Sequence, residues 1–100
     1  MFKLTVLYGH PTDPEEFERY HHEIHLPLVN EIEGMARMEH GRFLSNADGS
    51  EPDFYRIFEA WFDSPEELHD VFASPAGEAT WADLPNFATG GVTLQISEVE

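Results

Sequence analysis

The chain has no cysteine, and this absence removes several kinds of chemistry at once. Disulfide bonds, thiolate nucleophiles and cysteine-based zinc sites are all excluded. No apolar run approaches the ~20 residues needed to span a bilayer. The alternating start Met1-Phe2-Lys3-Leu4-Thr5-Val6 lacks the solid apolar block of a signal peptide. We therefore expect a cytoplasmic protein with no membrane partner.

Basic residues are also scarce. Five Lys and Arg stand against twenty Asp and Glu, which gives a formal net charge of -15, and Lys3 is the only lysine. Nucleic acid is not expected as a partner, because phosphate binding needs clustered basic side chains. A nucleotide cofactor is not expected either, since no glycine-rich phosphate cradle is present. The charge fits a host with a salty cytoplasm, where counter-ions screen it, or equally an acidic mesophilic protein.

What is present is the material of one folded unit. The 100 residues are 41% hydrophobic and include eight Phe, three Tyr and two Trp. That length and composition fit a single domain over residues 1–100 with one modest core.

Alternating and helical patterns predict the order of elements. Strands are expected at residues 2–8, 35–44, 54–62 and 92–99, and helices at 14–26, 65–73 and 75–83. Asp13 and Ser64 each precede a proline and an acidic pair, which is typical of a capped helix start. The order β-α-β-β-α-β predicts an α+β fold of ferredoxin-like, split type, with helices on one face of a four-stranded antiparallel sheet.

Periodicity also predicts which side chains are buried. In the first helix, spacings of three and four place Phe17, Tyr20, Ile24 and Leu28 in the buried stripe. Pro27 predicts a kink or an end to this helix, because it lacks an N–H and crowds the preceding turn.

The sheet face opposite the helices is predicted to be partly apolar, with Leu7, Met38, Ile57 and Trp61 on it. Exposed apolar area of this kind invites a partner. A second copy laid sheet to sheet would cover it and enclose a shared cavity, so we expect a homodimer. Glu59, a charge in the middle of a strand, either points into that cavity or pairs with an arginine on a neighbouring strand, the candidates being Arg37, Arg42 and Arg56.

Three histidines within five residues, His21, His22 and His25, raise the question of a metal site. The segment His22-Glu23-Ile24-His25 is one residue short of the zinc protease motif. His21 and His25 have a spacing that could share a metal, but no third ligand is evident, so no metal site is expected. His21 is predicted at the core edge and His22 in solvent.

His25 is predicted about 100° beyond Ile24 on the helix, at the rim of the buried stripe. Beside the irregularity at Pro27 it could face the cavity, or it could bond a nearby carbonyl.

The same segment resembles the EthD family, named for a protein associated with ethyl tert-butyl ether degradation. The matching residues are Phe17, Tyr20, His25, Pro27, Leu28 and Val29, followed by Gly34 and by blocks at 62–64, 73–77 and 82–87 in the right order. His21 departs from the pattern, since a second Tyr is usual there. The resemblance covers essentially the whole chain and implies the dimeric α+β barrel group, which includes cofactor-free monooxygenases, muconolactone isomerases and polyketide cyclases.

We therefore predict a cofactor-free enzyme acting on a small hydrophobic catabolic or biosynthetic intermediate, by oxygenase- or isomerase-type chemistry. His25 is the predicted general acid or base. Tyr20, Tyr55, Trp61 and Phe87 are the predicted substrate contacts, with plain core or dimer packing as the alternative. Asp83 either orients an imidazole or caps a turn. Two other functions stay open: a non-catalytic binding or accessory protein, and a haem- or metal-dependent oxygenase on the same fold.

Overall fold

The structure, a computed structural model that describes residues 1–100, is built on a four-stranded antiparallel sheet. Its strands are β1 (Phe2–Tyr8), β2 (Arg37–Arg42), β3 (Arg56–Phe62) and β4 (Val92–Glu98), in the order β2-β3-β1-β4. Each neighbouring pair is antiparallel. β2 and β3 are shorter than predicted, because the turn-rich loop between them begins and ends closer to the sheet's centre.

The helices connect the strands on one side of this sheet. They are α1 (Pro14–Tyr20), α2 (Leu26–Asn30), α3 (Pro65–Ala73) and α4 (Pro75–Asp83). A π-helical turn, His21–His25, joins α1 to α2, and a 3-10 turn, Leu84–Asn86, follows α4. The prediction of an α+β fold with ferredoxin-like order is confirmed. None of these helices has the length and apolar character needed to cross a membrane.

Local capping chemistry explains where the helices begin. The Asp13 side chain accepts a hydrogen bond from the backbone N–H of Glu16 at 3.2 Å, and Ser64 accepts one from Glu67 at 3.1 Å. Ser74 does the same for the N–H of Gly77 at 3.2 Å and so starts α4. Each cap satisfies an N–H that has no partner within the helix.

The core lies between the sheet and the helices, where the alternation of β1 and β3 places their larger apolar side chains. The buried apolar strand residues are Leu4, Val6 and Tyr8 from β1, and Phe58, Ala60 and Phe62 from β3. Val29, Leu68, Leu84 and Phe87 close the core from the helical side.

The opposite face of the sheet, which we name the open face, carries the alternate residues of each strand. Leu7, Ile57 and Trp61 lie on it as predicted, whereas Met38 does not. Met38 pairs directly with Ala60, and directly opposed residues point to the same side, so Met38 faces the helices. The prediction for Met38 was wrong because it assumed the phase of β2 without knowing its register against β3.

Charges on the open face are matched. Lys3 binds Glu59 at 2.9 Å and Arg37 binds Glu39 at 2.7 Å. Both cations also lie against the Trp61 ring, at 5.6 and 4.7 Å from its centroid. The partner of Glu59 is thus Lys3 rather than one of the arginines considered above. The open face therefore has no net charge, and the rest of the chain carries the whole -15.

The π turn changes which residues of the first helical segment face the core. Here the N–H of Leu26 bonds the carbonyl of His21, five residues back, so the turn contains one more residue than an α-helical one. The wider turn accommodates Pro27 and brings His21, His25 and Val29 inward. Ile24 is 40% exposed, so its predicted place in the buried stripe was wrong. The segment continues as a helix to Asn30 instead of ending at Pro27.

Candidate functional site

His25 lies inside the protein rather than at the rim of the helix, with 2% of its surface exposed. Its ring packs against Phe87 with 4.6 Å between centroids and stacks on His21 at 5.8 Å. Because aromatic rings hold it on two sides, the imidazole has a fixed orientation.

Asp83, the last residue of α4, fixes the tautomer of this imidazole. Its Oδ2 lies 2.9 Å from His25 Nδ1, and 7% of the residue is exposed. An ionised carboxylate only accepts hydrogen bonds, so Nδ1 of His25 carries the proton and donates it. In the neutral imidazole the lone pair therefore lies on Nε2, which no other protein group bonds. Of the two readings of Asp83, the structure shows the one in which it orients an imidazole.

Two more side chains donate hydrogen bonds to the carboxylate of Asp83. The Tyr20 hydroxyl donates to Oδ1 at 2.5 Å, and Asn86 Nδ2 donates to the same oxygen at 3.1 Å. Burial alone would raise the pKa of Asp83, but the hydrogen bonds from Tyr20, His25 and Asn86 outweigh burial and hold the pKa below its usual range. Asp83 is thus ionised at neutral pH. The same bond raises the pKa of the Tyr20 hydroxyl.

Burial lowers the pKa of His25, although the hydrogen bond and charge of Asp83 act in the opposite direction. The ring is therefore neutral at neutral pH, with a lone pair on Nε2. A neutral imidazole with a carboxylate behind it is the arrangement of a general base, because the carboxylate stabilises the imidazolium that forms when Nε2 takes a proton.

An apolar cavity adjoins His25 between the sheet and the helices. Eleven residues line it, nine of them hydrophobic: Leu4, Val6, Tyr8, His25, Val29, Ile32, Phe58, Phe72, Thr80, Trp81 and Leu84. The space open to the centre of a water molecule is about 20 Å³. This is enough for about one water and not for an aromatic ring. One chain encloses this cavity, so it is not the hollow between two copies that the sequence suggested beside His25.

A second, more polar cleft lies on the other side of the Asp83 network. It is about 90 Å³ in volume, and Tyr20, Asn86 and Phe87 contribute to its wall together with Thr12, Asp13, Glu16, Phe17 and Thr89. Tyr20 and Asn86, two of the donors to Asp83, therefore line the polar cleft, whereas His25, the third donor, lines the apolar cavity.

Another polar group lies next to the site along the same helical segment. His21 is 1% exposed, and burial, followed by the charge of Arg56 and the neighbouring histidines, lowers its pKa to about 3. Arg56, itself buried, donates to Glu18 Oε1 at 3.0 Å. Glu18, His21 and His22 each present one ligand atom within 4.8 Å of the others, so these three are the residues able to hold a metal.

The predicted substrate contacts divide into two pairs. Tyr20 and Phe87 meet at the site, the first bonded to Asp83 and the second packed on His25. Tyr55 packs edge-on against Phe17 at 5.1 Å and does not line the apolar cavity. Trp61 lies on the open face, with the sheet between it and His25.

Two site residues escaped the sequence prediction. Tyr8 lines the apolar cavity, its hydroxyl has no bonding partner, and burial raises its pKa well above the usual range. Tyr8 is the last residue of β1 and faces the core, and this position could have marked it, because the hydroxyl of a buried tyrosine needs a hydrogen-bond partner. Asn86 gave no such signal, since one turn residue in Leu84-Pro85-Asn86 looks like any other.

Fold and site together define an α+β protein with ferredoxin-like topology that buries a histidine–aspartate pair beside an apolar cavity. The EthD domain model matches residues 9–91, and the chain belongs to the EthD family. It is 37% identical over 100 residues to an uncharacterized 11.0 kDa protein encoded between thcB and thcC in Rhodococcus erythropolis, covering all of this chain and 96% of that protein.

Solved structures share the fold, and one of them is also a member of the family. An EthD family protein from Bacillus halodurans superposes with a TM-score of 0.91 at 31% identity, over 100% of this chain and 99% of that one. A dimeric ferredoxin-like protein from Bacteroides fragilis matches with a TM-score of 0.70 at 14% identity, over 98% and 95% of the two chains. The hydroxynitrile lyase of Passiflora edulis shares the fold with a TM-score of 0.76 at 14% identity, over 99% and 94%.

Proposed function

We propose that the protein is an enzyme that moves a proton on a small hydrophobic substrate, with His25 as the general base and acid. The observation that carries this proposal is the bond from His25 Nδ1 to the buried carboxylate of Asp83, which directs the lone pair on Nε2 away from Asp83, beside the apolar cavity. A histidine that served only packing would not need an ionised partner buried with it, because burying a charge is costly.

The step is a balanced transfer without a redox partner. Nε2 accepts a proton from a C–H next to a carbonyl, or from a phenolic O–H, and the electron pair stays on the substrate. Asp83 stabilises the imidazolium that results, and Nε2 then returns the proton to another atom of the same substrate. Isomerisation fits this cycle directly. In a lyase reaction the electron pair instead expels a leaving group as its bond to carbon breaks, and Nε2 gives the proton to that group. Oxygenation needs molecular oxygen in addition.

The wall of the cavity also carries the Tyr8 hydroxyl and the Thr80 hydroxyl, and the latter already donates to the backbone carbonyl of Ala76 at 3.0 Å. In this proposal the Tyr8 hydroxyl donates a hydrogen bond to the oxygen of the substrate. A phenol that burial keeps protonated is a hydrogen-bond donor to a carbonyl or an enolate. With nine of the eleven lining residues hydrophobic, the remainder of the substrate is apolar.

Substrate entry requires the cavity to widen, since it now holds about 20 Å³. Phe72 and Trp81, from α3 and α4, are half-buried side chains in its wall, and their rings are in contact at 5.0 Å. In this proposal they are the side chains that turn outward, because the other residues that line the cavity are more deeply buried. The ligand then takes the space between these helices and β1.

The open face is proposed as the contact with a second copy of the chain. It presents Leu7, Ile57 and Trp61 and has no net charge, while the rest of the protein is strongly acidic. Because the rest of the chain has a large net negative charge, two copies repel each other on average elsewhere, and the neutral face lets a like-charged copy approach. The dimeric state of the Bacteroides fragilis neighbour is consistent with this assignment.

The test uses proton exchange, which needs no knowledge of the natural substrate. Acetophenone and related aryl ketones are incubated in D2O with the protein, and loss of the α-hydrogen signal is followed by NMR. His25→Ala should slow the exchange by about 10²–10⁴-fold, the usual contribution of a general base. His69→Ala removes an exposed histidine beside Asp70 and is the matched control, which should exchange as the parent does.

An exchange rate that is the same in His25→Ala as in the parent would show that His25 is not the base. Ketones that bind both proteins equally, with no exchange in either, would favour a non-catalytic binding protein.

A further inference from the structure

A compact set of metal ligands lies one helical turn before His25. Glu18, His21 and His22 present one carboxylate oxygen and two imidazole nitrogens within 4.8 Å of one another. Residues three and four apart lie on the same face of a helix, so α1 and the start of the π turn hold all three donors together. The sequence spacing of His21 and His25 is compatible with a shared metal but shows no third ligand, whereas the structure groups His21 with Glu18 and His22.

Two side-chain atoms of these residues are buried without a hydrogen-bond partner. They are Oε2 of Glu18 and Nδ1 of His21, and His21 is 1% exposed. A buried polar atom without a partner costs about 1–3 kcal/mol. Both atoms belong to residues of the ligand cluster, so a polar occupant bound to them would remove this cost.

The other contacts of Glu18 and His22 orient these side chains in the way that hydrogen bonds orient the ligands of a metal ion. Arg56 and Arg42 lie at 3.0 and 3.6 Å from Oε1 of Glu18, which leaves Oε2 as the free oxygen. His22 donates through Nδ1 to the backbone carbonyl of Glu18 at 2.8 Å, so the lone pair of its neutral ring lies on Nε2. A ligating histidine commonly donates its other N–H to a backbone carbonyl, and a ligating carboxylate is commonly hydrogen-bonded in turn.

We propose that Glu18, His21 and His22 form a binding site for a divalent first-row transition metal ion. Two imidazoles and one carboxylate suit Zn²⁺, Fe²⁺, Ni²⁺ or Cu²⁺ better than Mg²⁺ or Ca²⁺, which prefer oxygen ligands. Three protein ligands leave at least one coordination position open, as catalytic sites do and closed structural zinc sites do not. This site is separate from the proposed action of His25 and does not depend on it.

The rival occupant is a water molecule. Arg56 Nε is a third buried atom without a partner and is a donor, so a single water could accept from it and donate to Glu18. The guanidinium groups of Arg56 and Arg42, both beside Glu18, also oppose a cation. The high negative charge of the chain acts in the other direction. The two hypotheses, a bound metal ion and a bound water molecule, predict different results for the same variants.

The experiment is isothermal titration of the full chain, after removal of metals with a chelator, with Zn²⁺ at one fixed pH. We expect one Zn²⁺ per chain, with His22→Ala and Glu18→Gln each weakening binding by more than about tenfold. His22 is exposed, so His22→Ala should keep the fold, which circular dichroism checks. Co²⁺ serves as the second probe, because its visible absorption reports nitrogen ligation and should be lost in His22→Ala.

His69→Ala is the matched control, since His69 lies next to Asp70 on the surface and could bind metal only adventitiously. It should bind Zn²⁺ as the parent does. Absence of stoichiometric binding by the parent would overturn the metal site and favour the water. The same holds if both site variants bind as the parent does, or if His69→Ala loses binding as much as they do.

Discussion

Replacing Asp83 by Asn is the most informative single change at the site, because it keeps the shape of the side chain and removes its charge. One oxygen of Asp83 receives Tyr20 and Asn86, and the other receives His25. An asparagine can keep the first oxygen as an acceptor, but it puts an NH2 group in front of His25 Nδ1. Two donors would then face each other across 2.9 Å.

The imidazole can relieve this conflict by moving its proton from Nδ1 to Nε2. Nε2 then presents an N–H beside the apolar cavity, where no protein acceptor is found. A buried donor without a partner costs about 1–3 kcal/mol, and each hydrogen bond to a charged acceptor contributes about 1.5–3 kcal/mol. Returning the carboxylate to water recovers part of this loss. We expect Asp83→Asn to lower the free energy of unfolding by roughly 2–4 kcal/mol.

Urea unfolding measures the stability loss, and the ¹⁵N chemical shifts of His25 report which ring nitrogen carries the proton. The control is Asp70→Asn, which alters an exposed histidine–aspartate pair and should change stability by less than about 0.5 kcal/mol. If Asp83→Asn kept the proton on Nδ1, or cost no more than the control, Asp83 would not be what orients His25.

Three further changes test other parts of the structure. Leu7→Glu adds a charge to the neutral open face and should convert dimers to monomers in sedimentation velocity, while Leu44→Glu, in an exposed loop, should not. Gly77→Ala should cost about 1–3 kcal/mol in urea unfolding, because its Cβ would overlap the backbone that precedes α4. Deleting Ile24 makes the π turn α-helical and should lower the free energy of unfolding by about 3 kcal/mol, because Pro27 then lies inside a regular helix. Pro27→Ala in the same background should recover this stability.

Much of the fold could be predicted from the sequence because its signals are local. Asp13 and Ser64 cap their helices as expected, since a cap needs only the residues of the first turn. The alternation of β1 placed Leu4, Val6 and Tyr8 on one face correctly, because the side-chain period of a strand is two.

What could not be predicted depends on contacts between distant segments. The face of Met38 follows from the register of β2 against β3, and the partner of Glu59 turned out to be Lys3, from the neighbouring strand β1. His25 and Asp83 lie 58 residues apart, so the sequence could mark each of them but could not join them.

The π turn shows why the helix was the harder element to interpret. Steps of four residues drift by about 40° each in a regular α-helix, so Phe17, His21, His25 and Val29 would not all face the core. The hydrophobic effect favours a regular helix with Ile24 inside, since burying such a side chain contributes about 1.5–3 kcal/mol. The protein instead leaves Ile24 40% exposed and encloses two imidazoles.

The exposure of Ile24 lowers stability, so an interaction elsewhere must compensate for it. The hydrogen bond between His25 and Asp83 is such an interaction. Sites where sequence rules fail in this way are expected to be functional, because there selection acts on chemistry as well as stability. The π turn brings three residues inward, and among them only His25 both bonds an ionised side chain, Asp83 of α4, and lines the apolar cavity. The departure from the regular helix is therefore best explained by the position that it gives to this imidazole.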